Sequence, residues 1–202
     1  MSSETILRII LAALVVIDLS LPRYFKRRYA ARGRPISDGL ARTLMPERLF
    51  TIALYAGLFA FIIDPHWMAW SHLQLRGGLR ALGVPLSAAG LAGLTWAFRH
   101  LGHNLTAGLG AGADRTLVTT GPYRWVRHPM YSAWVVLQLG YCLITANWCI
   151  AFLFLAALAA VIRRTPAEEA GLAARFGDDY LDYTRVTGRF FPYLLTRLRN
   201  KG

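Results

Sequence analysis

The sequence predicts an all-α integral membrane protein, a single membrane domain with about five transmembrane helices and short amphipathic helices at its C-terminal end. Three observations predict this. The 202 residues are 55% hydrophobic and 17% charged, whereas charged residues make up about a quarter of ordinary soluble chains. The apolar residues gather into runs long enough to approach the ~30 Å hydrocarbon core of a bilayer. The basic residues gather in alternate connections between those runs: eight Lys and Arg in residues 23–48, four in 99–130 and eight in 163–202, against Arg8 and two in 67–80. That asymmetry puts the N-terminus outside and the C-terminus in the cytoplasm. It also accounts for the formal net charge of +12 without a nucleic-acid partner, because basic clusters beside spans attract anionic lipid head groups.

The first apolar run, Ile6 to Leu21, has no basic region before it and no small-residue cleavage site after it, so it reads as a retained helix and not a leader. Span one covers Thr5 to Leu21, with Asp18 near its inner end, placed to reach Arg23 or the interface. A basic loop (23–48) carries Lys26, Arg27 and Arg28 to span two, Leu49 to Ile63. Beyond Asp64 and Pro65, Trp67 and Trp70 form an outer interfacial belt. His66 and His72 lack ligand-spaced partners and read as surface residues, so no metal site is expected. Span three, Ala81 to Phe98, carries Ala89, Gly93 and Ala97 four residues apart. Small residues on one face let another helix approach closely, from this chain or from a second subunit. Residues 131–162 form two apolar runs divided near Asn147 and Trp148. Cys142 and Cys149, both within them, read as small buried hydrophobes.

The polar residues that break this pattern sit on either side of the hairpin. Before it, residues 99–130 are rich in His, Gly and Asn, with a hinge-like Gly108 to Gly112 and then Gly121-Pro-Tyr-Arg-Trp-Val-Arg-His-Pro-Met-Tyr131. Pro129 biases His128 away from helical geometry, which predicts a helix starting near Pro129. Tyr123, His128 and Tyr131 are then held near one helix N-terminus, as an interfacial belt or as a site. After the hairpin comes Arg163-Arg-Thr-Pro-Ala-Glu-Glu169. In a continuous helix Arg164 and Glu168 share a face. Alternatively Thr165, Pro166 and Glu168 form a capping box that starts a new helix. Leu172, Phe176, Tyr180 and Tyr183 make an amphipathic stripe interrupted at Gly177, and Phe190 to Tyr193 end it as an interfacial anchor.

The motifs LVTTGPYRWVRHPMY (117–131), RTPAEE (164–169) and FGDDYLDY (176–183), in this order across an apolar hairpin, resemble the isoprenylcysteine carboxyl methyltransferases. Phospholipid N-methyltransferases and the C-terminal part of membrane sterol reductases share a looser version. The resemblance covers roughly residues 100–195, and implies S-adenosyl-L-methionine as cofactor, with S-adenosyl-L-homocysteine as product. Three spans in 1–98 and the hairpin in 131–162 follow from the apolar runs; the resemblance implies that 99–130 is a cytoplasmic cofactor-binding loop and that 163–202 is a cytoplasmic region completing the site. Carried over by position, it implies that Leu117 and Val118 contact the cofactor largely through backbone. Tyr123, His128, Pro129, Met130 and Tyr131 would form its pocket wall, Glu168 would hold it from across the hairpin, and Arg164 would orient the substrate carboxylate. Pro166 stands where the family often has an acidic residue, and Gly108 where a glutamine contact occurs, so nothing is carried over at Gly108.

The chemistry agrees with these roles. A carboxylate acceptor, with a pKa near 4, is already ionised at neutral pH and needs no base. It needs a cation to hold it, and an arginine does so bidentately. An amine acceptor would need deprotonation, for which His128 is the nearby base. The expected activity is methyl transfer to a lipophilic acceptor, a prenylcysteine-type carboxylate or a related amphiphile, among membrane lipids. The other readings are methylation of a phospholipid amine or a thiol, a reductase-like protein binding a nicotinamide cofactor, and a non-catalytic scaffold.

Overall fold

The computed structural model describes residues 2–29, 45–105 and 116–193. Among these, six α-helices and short 3-10 turns form a helical bundle: α1 (Ser3–Tyr29), α2 (Met45–Ile63), α3 (Gly77–Leu101), α4 (Pro129–Thr145), α5 (Trp148–Phe176) and α6 (Asp178–Val186). No strand occurs among the described residues; two isolated bridges, His72 to Asn147 and Val126 to Gly188, take the place of a sheet. The Gly108 to Gly112 hinge lies outside the described residues.

The apolar runs set the helices, and their ends extend past the runs. Helices α1, α3 and α5 are each long and apolar enough to cross a membrane. Helix α2 joins the 3-10 segment Pro65–Ser71 through a bend of 118°, and the pair makes a fourth candidate span. Helix α4, at 17 residues, sits at the lower limit of about 17–25 for a span. Asp64 sets the bend by accepting the His66 N–H at 2.9 Å, while Arg8 of α1 donates to the last carbonyls of α2, Ile62 (2.7 Å) and Ile63 (2.6 Å). Those carbonyls have no partner further along α2, so Arg8 supplies one.

Helices α3 and α4 form the tightest pair. A Cβ at Gly90 would lie 2.5 Å from the Leu137 nitrogen, and one at Gly83 2.5 Å from the Gly140 carbonyl. The seam therefore reads Gly83, Ser87, Gly90, Leu94, Ala97, all buried, with Gly93 against Ala133 at its edge. Ala89, expected on this face, is exposed. A strict four-residue repeat drifts around the helix, whereas the alternating 4-3 spacing keeps one face toward a partner. The neighbour that the small residues admit is α4 of the same chain. Gly90→Leu is expected to abolish recovery of monodisperse protein on size exclusion in detergent, and Ala89→Leu, one position away, to leave it intact.

The interior holds a polar contact that differs from expectation. Asp18 does not meet Arg23, which bonds the Leu19 carbonyl of its own helix at 2.8 Å. Five residues of helix turn the two side chains about 140° apart, so Asp18 faces the bundle. There it is 6% exposed and accepts the Tyr55 hydroxyl at 2.5 Å, to which Gln138 donates from α4 at 3.3 Å. At the end of the bundle formed by the start of α3, buried Arg80 makes a two-pronged pair with Glu4 (2.6 and 3.0 Å) and bonds the Ile144 carbonyl at 2.9 Å. These contacts tie α1, α3 and α4 together.

The α4–α5 hairpin turns at Ala146, in the left-handed region (φ 45°), and Asn147 caps α5 by accepting from Ile150 N at 3.1 Å. The Asn147 amide also reaches Ser71 Oγ at 2.8 Å, fixing the turn against the 3-10 segment. Helix α5 then runs unbroken past Ile162 to Phe176, with Pro166 inside it. The capping box at Thr165 is therefore not formed: the Thr165 hydroxyl is buried and bonds the Val161 carbonyl of its own helix at 2.9 Å. Gly177 ends α5 with φ 55°, a left-handed position that glycine adopts without Cβ strain.

Candidate active site

Continuity of α5 carries Arg164, Glu168 and Glu169 back to the start of α4. Pro129 occupies the first helical position of α4, and His128, at φ −121° and ψ 60°, stands just outside it, as the sequence predicts for a residue before proline. The His128 ring stacks on Tyr131, one turn on, at 5.3 Å between centroids and 10° between planes. The Tyr131 hydroxyl donates to Glu168 Oε2 at 2.8 Å and accepts from the Arg164 guanidinium. Arg164 Nη2 lies 3.6 Å from Glu168 Oε2, an i to i+4 pair on one face of α5. Both side chains keep a partly exposed edge, 23% for Arg164 and 30% for Glu168. The pair itself contributes little stability, about 0–1 kcal/mol at such exposure; the contacts place two opposite charges beside one aromatic ring.

Residues 117–124 lead into this cluster from the N-terminal side. Leu117 and Val118 lie half-buried outside any helix, so their backbone groups are not consumed by a helical ladder. Gly121, at φ 60°, packs against the His100 ring, which leaves no room for a Cβ. The 3-10 turn Gly121–Arg124 follows and buries Tyr123, whose carbonyl accepts the Tyr183 hydroxyl of α6 at 2.6 Å. Burial, with smaller contributions from the neighbouring Tyr183 and Glu168, holds the Tyr123 phenol above its ordinary range. Pro129 is buried and Met130 half-buried at the same helix end.

Glu169, which the sequence reading left without a role, is the hub beneath this cluster. It accepts from Arg127 Nε (3.0 Å), His128 Nε2 (3.2 Å) and Arg189 Nε (3.1 Å) and Nη2 (2.5 Å). Arg127 continues to the carbonyls of Thr184 and Thr187 at the end of α6. Burial pushes the His128 imidazole below its ordinary value of 6.5, against the opposing pull of Glu168 and Glu169. Facing a carboxylate, Nε2 carries a proton and donates the hydrogen bond to Glu169. Phe190, expected as an interfacial anchor, instead lies against the His128 and Tyr131 rings at 5.8 and 6.5 Å. The available signals were Arg127 next to His128 and Glu169 next to Glu168, one on each side of the hairpin; no periodicity marks Phe190.

A depressed histidine fixes the sign of a pH effect. The unfolded chain binds a proton at His128 below about pH 6.5 and the folded chain resists it, so this contribution to stability is present above that pH and falls as pH drops through it. Thermal melts in detergent between pH 7.5 and 5.5 are expected to show a falling midpoint, and a smaller fall in His128→Gln.

Among the described residues no group of three or more His, Cys, Asp or Glu could hold a metal ion. A separate open cleft of about 540 Å³ follows the end of α1 along Ser20, Arg23, Tyr24, Arg27 and Arg28, none of which belongs to the cluster. The described residues thus define a helical membrane protein with one polar and aromatic cluster where the hairpin's two ends meet. Its sequence matches the model of the isoprenylcysteine carboxyl methyltransferase family over residues 82–174, just under half of the chain, and the resemblance read from the motifs is borne out. The protein-S-isoprenylcysteine O-methyltransferase of Mus musculus is 27% identical over 183 residues, covering 89% of this chain and 64% of that one. That of Tribolium castaneum is 36% identical over 83 residues, 41% of this chain and 30% of its own. The solved structure of the eukaryotic intramembrane Ras methyltransferase ICMT superposes with a TM-score of 0.52 at 26% identity, over 79% of this chain and 54% of that one. The chain thus spans somewhat less than two thirds of the mouse relative's length.

Proposed function

We propose that this chain is an S-adenosylmethionine-dependent membrane methyltransferase that esterifies the carboxylate of a lipophilic, prenylcysteine-type acceptor. The observation that carries the reading is the unbroken α5, which sets Arg164 and Glu168 one turn apart beside Tyr131. The donor set fits both ligands: Glu168 offers a carboxylate to a cationic cofactor, and Arg164 a planar cation to an anionic acceptor. S-adenosylmethionine, when bound, supplies a methyl group activated on a sulfonium. Leu117 and Val118 would hold the cofactor through backbone groups, and Tyr123, His128, Pro129, Met130 and Tyr131 would wall it. Glu168 would oppose its positive charge from α5.

Arg164 would bind and aim the acceptor carboxylate, so that its oxygen takes the methyl carbon as the carbon–sulfur bond breaks. No proton moves, and the products are a methyl ester and a neutral thioether. Charge disappears in such a step, so a site with little water and aligned reactants favours it. The basic connections support placing residues 99–130 and 163–202 in the cytoplasm, with the N-terminus outside.

Calorimetric titration of the detergent-solubilised protein with S-adenosylhomocysteine and with NADPH tests the reading. Binding of the homocysteine product alone is expected; binding of NADPH alone would overturn it.

A further inference from the structure

Residues 187–190 run beside the start of α4 as a strap. The N–H groups of Arg127 and His128 donate to the Gly188 and Arg189 carbonyls at 2.8 and 3.0 Å, and the Gly188 N–H returns to the Trp125 carbonyl at 3.1 Å. Ser132 Oγ donates to the Phe190 carbonyl at 2.6 Å, and the Arg189 guanidinium holds Glu169. Four hydrogen bonds to the backbone of residues 188–190 and the Arg189–Glu169 pair therefore hold the strap at Phe190. Its ring is tilted 44° to His128 and 52° to Tyr131, at centroid distances within the range where aromatic pairs attract. Phe191, the next residue, points away and is 72% exposed. A strap serving only as a membrane anchor would have no need to hold one of two adjacent phenylalanines against the stacked pair.

We propose that Phe190 is a positioning residue of the methyl-donor site, completing a three-ring wall with His128 and Tyr131 and fixing the tilt of their stack. The inference rests on the methyltransferase reading above. A fixed aromatic wall suits a ligand that carries a flat purine and a positive sulfonium, since ring faces attract the first by stacking and the second by their quadrupole. The latch that holds the ring, Arg189 on Glu169, also reaches His128 through the same carboxylate. Loss of the ring therefore frees the stack without removing any charged partner.

The test compares Phe190→Ala, Phe190→Leu, Phe190→Tyr and Phe191→Ala in the full chain in detergent, by calorimetric S-adenosylhomocysteine affinity and thermal melting. Both Phe190→Ala and Phe190→Leu are expected to weaken binding roughly tenfold, and Phe190→Tyr to stay within about twofold of the parent. Phe191→Ala is expected to bind as the parent does. In turnover, Phe190→Leu should raise KM for the methyl donor by more than it lowers kcat. Leucine keeps the strap packed, so the comparison survives if the alanine variant fails to fold. Parent-like affinity in Phe190→Leu, or an equal loss in Phe191→Ala, would overturn the proposal. A parent protein that does not bind S-adenosylhomocysteine would overturn the methyltransferase reading itself.

Discussion

Replacing Arg164 by alanine is expected to lower turnover of a carboxylate acceptor by a factor on the order of 10²–10³, comparable with removing one charge-stabilising donor from an active site. Affinity for S-adenosylhomocysteine should change little. The separation follows from the geometry: Glu168 keeps the Tyr131 hydroxyl at 2.8 Å when Arg164 is gone, and the ion pair lost is long and partly exposed. Arg164→Lys is expected to recover only part of the activity, because an ammonium cannot match a carboxylate with two parallel hydrogen bonds. The check is a steady-state assay beside a calorimetric titration of each variant. A variant that lost cofactor affinity in step with turnover would move Arg164 to the cofactor.

The second large effect is expected at Glu169. Its side chain is 12% exposed and gathers Arg127, His128 and Arg189, so Glu169→Ala leaves the buried His128 without its acceptor and the half-buried Arg127 with only the Thr184 and Thr187 carbonyls. Leaving a buried donor unpaired costs about 1–3 kcal/mol. The variant should melt well below the parent, and should also lose S-adenosylhomocysteine affinity, since the same carboxylate orders His128 and the strap. Glu169→Gln keeps one oxygen for the same donors and should fall between the two. A Glu169→Ala protein that melted with the parent would show the hub to be dispensable.

Much of this arrangement was legible in the sequence, because helix positions follow from apolar runs and the meeting of Tyr131 with Arg164 follows from a short hairpin. Helix ends were less so. Span one was read as stopping at Leu21, yet α1 continues to Tyr29; Lys26, Arg27 and Arg28 are good helix formers and favour a helix C-terminus. At Thr165 a local capping signal and a continuous helix competed, and burial of the Thr165 side chain on its own helix favoured continuity. Asp18 was assigned by nearness in sequence, where helical phase should have decided.

The strap shows a different limit. Phe190 and Phe191 are indistinguishable as a pair of apolar residues near a membrane surface, and only backbone pairing with Trp125 to His128 turns one inward. Contacts of that kind join segments about sixty residues apart, and no local pattern encodes them. Glu169 was likewise visible beside Glu168, but its partners arrive from two distant segments.

The most direct measurement is transfer of a radiolabelled methyl group from S-adenosylmethionine to an N-acyl S-prenylcysteine, with phospholipid amines and small thiols as competing acceptors. The account predicts label on the prenylcysteine in a base-labile form, as a methyl ester, and its loss in Arg164→Ala. Label appearing instead in a base-stable form on an amine or a thiol would contradict it.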